Sequence, residues 1–489
     1  MNTALQTDLY QLTMGAAYWK AGTEERESVF HLFFRRLPFR GGYAVAAGLE
    51  TALKWLEDFR FRPDELGYLA GLRGSDGGPL FERGFLELLE GLELRLDVDA
   101  VAEGSAAFAY EPLLRVQGPI LHAQLVETAL LNIVNFQTLI ATKAARVCRA
   151  AGDGPVMEFG YRRAQGPDGA LMASRAARIG GCAGTSNVRA GMDFGIPVMG
   201  THAHSWVMSF DGEQEAFDRY AEAMPANSTL LVDTYDTLAG VEKAIRTGRM
   251  LRERGHELNG IRLDSGDLAW LSQQAREMLD AAGFPAVKIV ASNDLDEHLI
   301  ESLRNQGAMI DLWGVGTNLV TAADQPALGG VYKLAALRGA DGRWEPRVKL
   351  SEQRAKSSIP GRQQVRRFEK DGLFIGDAIF DEDAGFGTDR TVTDPDNPLQ
   401  CKVVPDDAAF EDLLVPVMRA GVRTGGAEPL DRAMERRARS LAMLHPAILR
   451  LDHPHVYPAG LEAGLHGRRE EMLARHQVVA HGRVKGGAQ

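Results

Sequence analysis

A regular alternation of short apolar runs and amphipathic helices between residues 156 and 318 constrains the fold of this chain more than any other feature. Strand-then-helix alternation is the pattern of a parallel α/β domain. Because the carboxyl ends of the strands converge on one mouth in a parallel α/β barrel, we predict that residues at these ends share a single cavity. Six apolar runs end in polar or glycine residues, namely 156–160, 196–199, 230–232, 261–263, 287–290 and 310–315.

The second run ends at Gly200 and is followed by two histidines, His202 and His204. Taken alone, a His-x-His pair lies most often on an ordinary loop. One alternative is a metal-dependent hydrolase on an α/β barrel, in which such a pair binds zinc. That class needs further histidines at later strand ends, whereas His256 and His298 are predicted in a loop and within a helix. A non-catalytic sugar-binding protein would leave a histidine beside phosphate-binding groups unexplained.

The residues predicted at the mouth suit a phosphorylated sugar. Segment 314–317 offers backbone N–H groups and a hydroxyl, and barrel loops at this late position commonly hold a phosphate. Arginines supply counter-charge to phosphates, and aspartates supply oxygen atoms for ribose hydroxyls, Mg²⁺ or a developing cation. Each aspartate is equally well explained as the N-cap of the next helix. The candidates are Arg162, Arg163, Arg262, Asp233, Asp264 and Asp267.

The segments on either side of the alternating region predict further domains. Residues 1–120 mix helical and strand-like patterns, so we predict an N-terminal α+β domain to which later segments around 345–380 contribute. Residues 121–344 are assigned to the α/β barrel that carries the active site, beginning with a long, mostly apolar helix over 121–151. Residues 345–489 are expected to form a β-rich segment, starting with a strand near 347–351, and a helical C-terminal extension.

The first helix and the loop after the first strand carry polar residues of interest. Asp8 is predicted to cap a helix that holds Tyr10 in its first turn, with Gln11 placed as in a capping box. The loop that contains Arg40 is basic and glycine-containing, and it either faces an anion or is simply solvated.

The net charge and the cysteines narrow the class of protein. A formal net charge of −11 argues against a general nucleic-acid-binding or anionic-membrane surface. Cys148, Cys182 and Cys401 are far apart, as expected of reduced thiols in a cytoplasmic protein. No run approaches the roughly 18 apolar residues that span a bilayer, and the N-terminus lacks the pattern of a signal peptide. We therefore expect a cytoplasmic protein with no nucleic-acid or membrane partner.

Seven motifs make the chain similar, over nearly its whole length, to the nicotinate phosphoribosyltransferase family of the longer bacterial and eukaryotic type. This resemblance implies an α/β fold of the type II phosphoribosyltransferase class. In that fold an irregular parallel α/β barrel stands beside an N-terminal α+β domain, with a C-terminal extension. The motifs in chain order are TDLYQLTM at 7–14, FRRLP at 34–38 with GGY at 41–43, EFGYRRAQG at 158–166, GTSNV at 184–188, GTHAHS at 200–205, RLDSGD at 262–267 and GVGT at 314–317.

The resemblance implies transfer of ribose 5-phosphate from phosphoribosyl pyrophosphate to the pyridine nitrogen of nicotinate. The products would be nicotinate mononucleotide and pyrophosphate, in a salvage route to NAD. Family enzymes couple the transfer to ATP hydrolysis through a phosphorylated histidine, and the matching position is His204. A neutral imidazole nitrogen is a competent nucleophile toward a phosphoryl group held by Mg²⁺ and basic groups.

The transfer reaction gives the candidate residues roles. Breaking the anomeric C–O bond builds positive charge on the ribose, which the carboxylates of Asp233 and Asp264 would stabilise. The departing pyrophosphate needs Mg²⁺ and an arginine, for which Arg262 is the first candidate. We expect Gly316 and Thr317 to hold the 5-phosphate. The Mg²⁺ ligands are not identified by the sequence.

The pyridine ring needs aromatic contacts and a group that recognises its substituent. By resemblance, Phe159 stacks on one face and Tyr10 of the partner subunit stacks on the other, which implies a homodimer with shared active sites. Arg162 and Thr201 are placed in the substrate-binding set. Nicotinamide-using relatives carry an aspartate at the position of Ser186, and an aspartate would repel the carboxylate of nicotinate.

Overall fold

The computed structural model describes residues 3–351, 353 and 356–485, and it describes side chains as far as residue 475. The chain forms two compact units. One consists of the residues up to 138 and from 327 onward, and the other is Leu139–Pro326. The predicted three-part division at 120/121 and 344/345 stays a prediction, and the last residues of its C-terminal extension, 486–489, lie outside the described part.

The first unit begins with helices that precede and follow a set of short strands. Its first strand is apolar and almost wholly buried, as expected for a central strand. The helices are α1 (Leu9–Lys20), α2 (Leu49–Glu57), α3 (Pro63–Gly71), α4 (Arg83–Glu90), α5 (Ile120–Leu125) and α6 (Glu127–Ala151), which continues into the second unit. The strands are β1 (Glu27–Phe34), β2 (Ala44–Val45), β3 (Asp97–Ala100), β4 (Ala106–Ala107) and β5 (Leu114–Pro119).

The second unit alternates strands and helices as the sequence predicts. Its strands are short and apolar because helices cover the sheet, and a polar residue or glycine follows most of them. The strands are β6 (Val156–Glu158), β7 (Gly184–Thr185), β8 (Thr229–Leu231), β9 (Gly260–Leu263), β10 (Lys288–Ala291) and β11 (Leu312–Val315). The helices are α7 (Gly166–Gly180), α8 (Val188–Phe194), α9 (His204–Met208), α10 (Glu213–Ala223), α11 (Thr237–Glu253), α12 (Leu268–Ala281), α13 (Glu297–Asn305) and α14 (Thr317–Val320).

The first unit is completed by strands and helices from the C-terminal part of the chain. The strands are β12 (Gly330–Arg338), β13 (Trp344–Pro346), β14 (Gln363–Lys370), β15 (Leu373–Asp381), β16 (Thr391–Thr393), β17 (Cys401–Val403), β18 (Ala409–Asp412), β19 (Val415–Arg419), β20 (Val422–Arg423) and β21 (Ala459–Glu462). The helices are α15 (Leu430–Ala442) and α16 (Ala463–Lys485).

Two sheets of the first unit join segments that are far apart in the sequence. A seven-stranded antiparallel sheet has the order β13-β12-β1-β5-β3-β19-β20. A six-stranded mixed sheet has the order β17-β16-β21-β15-β14-β18, in which only the pairing of β15 with β21 is parallel among the described strands. C-terminal strands therefore extend the sheet of the N-terminal segment, which agrees with the predicted fold class.

The second unit contains a six-stranded parallel sheet. If its two edge strands, β7 and β8, are taken as neighbours, the strands follow one another around a ring in their sequence order, from β6 to β11. The ladder runs β7-β6-β11-β10-β9-β8, and every pairing is parallel. A single parallel bridge joins Val198 to Thr185 at the β7 edge. At the β8 edge, the N–H of Leu231 donates to Nε2 of His202, 3.2 Å away. The run 198–202 thus lies between the two edges of an irregular parallel α/β sheet and brings them together.

The predicted strand at 196–199 is wrong, because this run forms one bridge and no ladder. Proline at 197 has no N–H to donate, and Gly195 ends α8 with a positive φ immediately before the run. The proline and the turn at Gly195 together leave few residues of this run free to form a regular ladder with β7. The short strand β7, on the other hand, is absent from the predicted set because only two residues form it.

Three smaller predictions also differ from the structure. The long helix predicted over 121–151 is interrupted at Val126, which separates α5 from α6. Asp8 precedes α1 but makes no side-chain cap, since its carboxylate accepts a hydrogen bond from Thr128 instead. The predicted strand near 347–351 lies at 344–346. Within the described residues, none of the helices has the length and apolar character needed to cross a membrane.

Candidate active site

A cavity of about 550 Å³ opens at the carboxyl ends of the parallel strands. Residues that follow β6, β7 and β9 line it together with the segment 200–204. Three of the six predicted run ends, those of the runs 156–160, 196–199 and 261–263, therefore share this cavity, whereas the residues that follow β8, β10 and β11 are not in its lining. A volume of this size is within the range of small-molecule binding sites. The lining residues are Phe159, Tyr161, Arg162, Ser186, Asn187, Val188, Arg189, Gly200, Thr201, His202, Ala203, His204, Leu231, Arg262 and Asp264.

Arg262 is the centre of a polar cluster on one side of this cavity. Its Nε donates to the Ser292 hydroxyl at 2.7 Å, its Nη1 to the Thr201 hydroxyl at 3.3 Å, and its Nη2 to Asp264 Oδ1 at 2.8 Å. The Arg262 side chain is 17% exposed, so these bonds are only partly screened by solvent. The planar guanidinium therefore fixes three strand ends relative to one another.

Asp264 is held as a carboxylate. Burial raises its pKa, but the Ser292 hydroxyl, which donates to Oδ1, and the charge of Arg262 outweigh burial, so the pKa of Asp264 lies below its ordinary value. This carboxylate is consequently ionised at neutral pH, and its second oxygen lies 3.7 Å from Nε2 of His204. An anionic oxygen beside an imidazole favours a hydrogen atom on the facing ring nitrogen.

Asp233 ties together the loops that follow β8 and β9. Its Oδ2 accepts the backbone N–H of Asp264 at 2.9 Å and the hydroxyl of Ser265 at 2.6 Å. Its Oδ1 is buried and has no hydrogen-bond partner among the described residues. Asp233 is therefore not a helix cap, whereas Asp267 is one, because it accepts the N–H of Trp270 at the start of α12. The helix-cap explanation therefore holds for Asp267 and not for Asp233, and the functional role of Asp233 stays a prediction.

His204 is the first residue of α9 and lines the cavity. Its Nδ1 lies 3.1 Å from the hydroxyl of Thr234, and its Nε2 faces Asp264. With the hydrogen atom on Nε2, the Nδ1 lone pair accepts from Thr234. The side chain is 39% exposed, so the imidazole is reachable from the cavity.

His202 occupies a different environment from His204, although only one residue separates them. It is 7% exposed, and Nε2 accepts the N–H of Leu231 while Nδ1 lies 3.4 Å from the carbonyl of Ala203. Burial, opposed by the Ala203 carbonyl and assisted by the charge of Arg262, lowers the pKa of His202 to about 4. Both ring nitrogens of this neutral imidazole are engaged, so the pair does not present two free nitrogens to a metal ion.

Phe159 and Ser186 also line the cavity and share a buried support. The carboxylate of Glu158 is fully buried and accepts two hydrogen bonds, from the Gly160 N–H and from the Thr185 hydroxyl. Gly160 follows Phe159 in the chain, and Thr185 precedes Ser186. A Cβ atom at Gly314 would lie 2.6 Å from the Phe159 ring, so glycine there makes room for the aromatic side chain.

The remaining predicted residues are found in several places. Thr201 and Arg162 line the cavity, and the Thr201 hydroxyl contacts Arg262. Gly316 precedes α14, and Thr317 is its first residue. Tyr10 lies in the first unit on α1 and is 47% exposed. The roles predicted for these residues stay predictions.

Two residues of the cluster were not among the predicted set. Ser292 follows β10 and bonds both Arg262 and Asp264. Thr234 follows Asp233 and contacts His204. Both lie in polar strand ends that the alternation does locate, but a serine or threonine at a strand end is too common to be selected without coordinates.

Comparison with known proteins gives consistent matches along the chain. Models described as the nicotinate phosphoribosyltransferase N-terminal domain, family and C-terminal domain match residues 5–135, 155–358 and 362–468. The nicotinate phosphoribosyltransferase of Bacillus subtilis is 45% identical over 484 residues, which cover 97% of this chain and 96% of the relative. The nicotinate phosphoribosyltransferase of Dictyostelium discoideum is 42% identical over 429 residues, which cover 78% of this chain and 71% of the relative.

A solved structure matches the fold as well. The crystal structure of human nicotinic acid phosphoribosyltransferase aligns with a TM-score of 0.83 and 32% sequence identity, covering 95% of this chain and 99% of that one. The similarity therefore extends over both compact units.

Proposed function

This chain belongs to the nicotinate phosphoribosyltransferase family, and from that membership we infer that it is an enzyme that joins nicotinate to the ribose 5-phosphate of phosphoribosyl pyrophosphate. The products are nicotinate mononucleotide and pyrophosphate, an intermediate and a by-product of NAD biosynthesis. The alternative of a metal-dependent hydrolase is not supported by these matches. The observation in the structure that supports the transfer most directly is the cluster of Arg262, Asp264 and His204 beside Phe159 and Ser186 in one cavity.

The two sides of the cavity suit the two substrates. Phe159 offers an aromatic face for the flat pyridine ring, and the Ser186 hydroxyl can donate to the carboxylate of nicotinate without repelling it. On the other side, Asp264 is ionised and stabilises the positive charge that develops on the ribose when the anomeric C–O bond breaks. Arg262 supplies a positive charge for the departing pyrophosphate. We assign the 5-phosphate to Gly316 and Thr317.

We propose His204 as the phosphoryl acceptor from ATP. With the hydrogen atom on Nε2 facing Asp264, the lone pair of Nδ1 attacks the terminal phosphorus, the bond to the bridging oxygen breaks, and ADP leaves. The resulting imidazolium is stabilised by the Asp264 carboxylate. Thr234 gives up its hydrogen bond to Nδ1 during this step.

The arrangement of oxygen atoms fits Mg²⁺. Mg²⁺ usually takes one or two carboxylates together with substrate phosphates, and the buried, unpartnered Oδ1 of Asp233 lies next to the loop that carries Asp264. These two carboxylates would hold the ion. When bound, it would neutralise charge on the phosphates of phosphoribosyl pyrophosphate and ATP.

We further propose a homodimer in which Tyr10 of the partner subunit covers the second face of the pyridine ring. The exposure of Tyr10, 47%, is high for an aromatic side chain and leaves its ring available for such a contact. We place the activity in the cytoplasm, in keeping with the isolated cysteines.

The test is to incubate the protein with nicotinate, phosphoribosyl pyrophosphate and Mg²⁺, with and without ATP, and to measure nicotinate mononucleotide and pyrophosphate. Product in the complete mixture is expected, and its absence under both conditions would refute the proposed function. His204→Ala should abolish acid-labile labelling from ATP while retaining some ATP-independent synthesis. Labelling that persists in this variant would show that another residue accepts the phosphoryl group.

A further inference from the structure

We propose that His202, which the transfer reaction does not use directly, is a positioning residue that holds the strand-end segment carrying His204 against the edge of the parallel sheet. The proposal rests on the proposed function, because its consequence is the orientation of His204 for phosphorylation. It assigns a role to the first histidine of the His-x-His pair.

The position of His202 in the ring of strands carries the inference. The N–H of Leu231 points away from β9, toward the run 198–202, with which β8 shares no ladder among the described residues. Nε2 of His202 accepts this N–H at 3.2 Å. A buried backbone donor left without an acceptor loses its hydration without compensation, so the imidazole substitutes for the missing strand–strand hydrogen bond.

The same side chain is connected to the reactive cluster through its own backbone. The carbonyl of His202 accepts the hydroxyl of Thr201 at 3.2 Å, and that hydroxyl accepts Nη1 of Arg262. Nδ1 lies 3.4 Å from the carbonyl of Ala203, the residue that precedes α9 and His204. A displacement of His202 would therefore move Thr201 and the start of α9 together.

The environment of the ring fixes its orientation. Tyr220 meets it edge-on, with ring centroids 4.7 Å apart, and Phe217 lies 6.2 Å away on the same helix. With the ring 7% exposed and one nitrogen accepting, the neutral form with the hydrogen atom on Nδ1 satisfies both contacts. An acceptor at the position of Nε2, rather than a titrating group, is what the site requires.

Two substitutions distinguish the hydrogen-bond acceptor that His202 provides from the packing of its ring. His202→Phe keeps an aromatic ring against Tyr220 but removes the acceptor, whereas His202→Gln places an amide oxygen near the position of Nε2. His256→Phe, at an exposed histidine in a loop of the same unit, serves as the matched control. We expect His202→Phe to slow phosphorylation from ATP by up to about 100-fold, because a misplacement of about 1 Å can lower a reaction rate by that factor.

The KM for nicotinate distinguishes a misplaced His204 from a general disruption of the active site. We expect it to change by less than about threefold in His202→Phe, because, among the described residues, Phe159 and Ser186 are supported through the Glu158 carboxylate, which makes no hydrogen bond to His202. His202→Gln should recover most of the phosphorylation rate. A full rate in His202→Phe, or equal losses in the phosphorylation rate and in nicotinate binding, would overturn the proposal.

Hydrogen exchange of the Leu231 amide in the wild-type protein tests the contact without any variant. Protection of this amide comparable with that of the β9 ladder is expected, and exchange at the rate of an exposed loop would overturn the proposal even if His202→Phe does not fold. Wild-type protein that forms no nicotinate mononucleotide would refute the proposed function instead, and the exchange measurement would still decide the role of His202.

Discussion

Two replacements of Arg262 distinguish the effect of its hydrogen bonds from the effect of its positive charge. In Arg262→Lys the ammonium can still pair with Asp264, but the donors to Ser292 and Thr201 are lost. Each such bond contributes about 0.5–1.5 kcal/mol. If the loss of both bonds displaces the cluster enough to raise the barrier by their full sum, kcat/KM falls by roughly 5- to 150-fold. The pH dependence should be nearly unchanged, because a positive charge remains beside the carboxylate.

Arg262→Gln removes the charge as well. Burial then raises the pKa of Asp264 with less opposition, so the carboxylate is protonated at a higher pH. A carboxylate with a lowered pKa is active above that pKa and loses activity as the pH falls through it. The acidic limb of the profile of kcat/KM against pH should therefore move to higher pH in Arg262→Gln.

The assay is the initial rate of nicotinate mononucleotide formation between about pH 4 and pH 8, with phosphoribosyl pyrophosphate varied. Arg219→Gln, at an exposed arginine on α10, controls for the loss of one positive charge outside the cavity. An acidic limb that stays in place in Arg262→Gln, or wild-type kcat/KM in Arg262→Lys, would refute the assigned roles of this cluster.

Two further predictions concern substrate choice and stability. Ser186→Asp should lower kcat/KM for nicotinate far more than for nicotinamide, with Ser209→Asp as control; equal losses would remove Ser186 from the specificity argument. In the first unit, burial, followed by the charge of Asp377, raises the pKa of Glu111. The free energy of unfolding of the wild-type protein should then fall as the pH rises above about 4.3, the pKa of a glutamate in the unfolded chain. Glu111→Gln should avoid this loss, so its advantage in urea midpoint should grow between pH 5 and pH 8; a constant difference would contradict this explanation.

The alternating pattern predicts the parallel sheet well because each element is defined by local sequence. The runs at 230–232, 261–263 and 287–290 lie within one or two residues of β8, β9 and β10. The same pattern fails at 196–199, where apolar composition alone does not distinguish a ladder from a single bridge. The hydrogen bond that joins the following residues to the β8 edge comes from Leu231, which is about thirty residues away from His202 in the sequence.

Long-range pairing in the first unit is not predictable from periodicity. Strand β1 pairs with β12 across about three hundred residues, and β3 pairs with β19. The tail around Tyr457 shows no chemical pattern in the sequence. In the structure its buried hydroxyl donates to Asp377, and its ring stacks on Phe108 at 3.9 Å. Its role is packing, and only the fold brings these partners together.

Burial accounts for the different behaviour of two histidines that the sequence presents as a pair. The ring of His202 is enclosed between α10 and the edge of β8, which lowers its pKa and occupies both nitrogens. His204, two residues on, begins a new helix and lies at the cavity beside Asp264 and Thr234. The change of backbone direction at Ala203 separates the two environments. A spacing of two residues thus allows one imidazole to bond the backbone of β8 while the other, the proposed phosphoryl acceptor, faces the cavity.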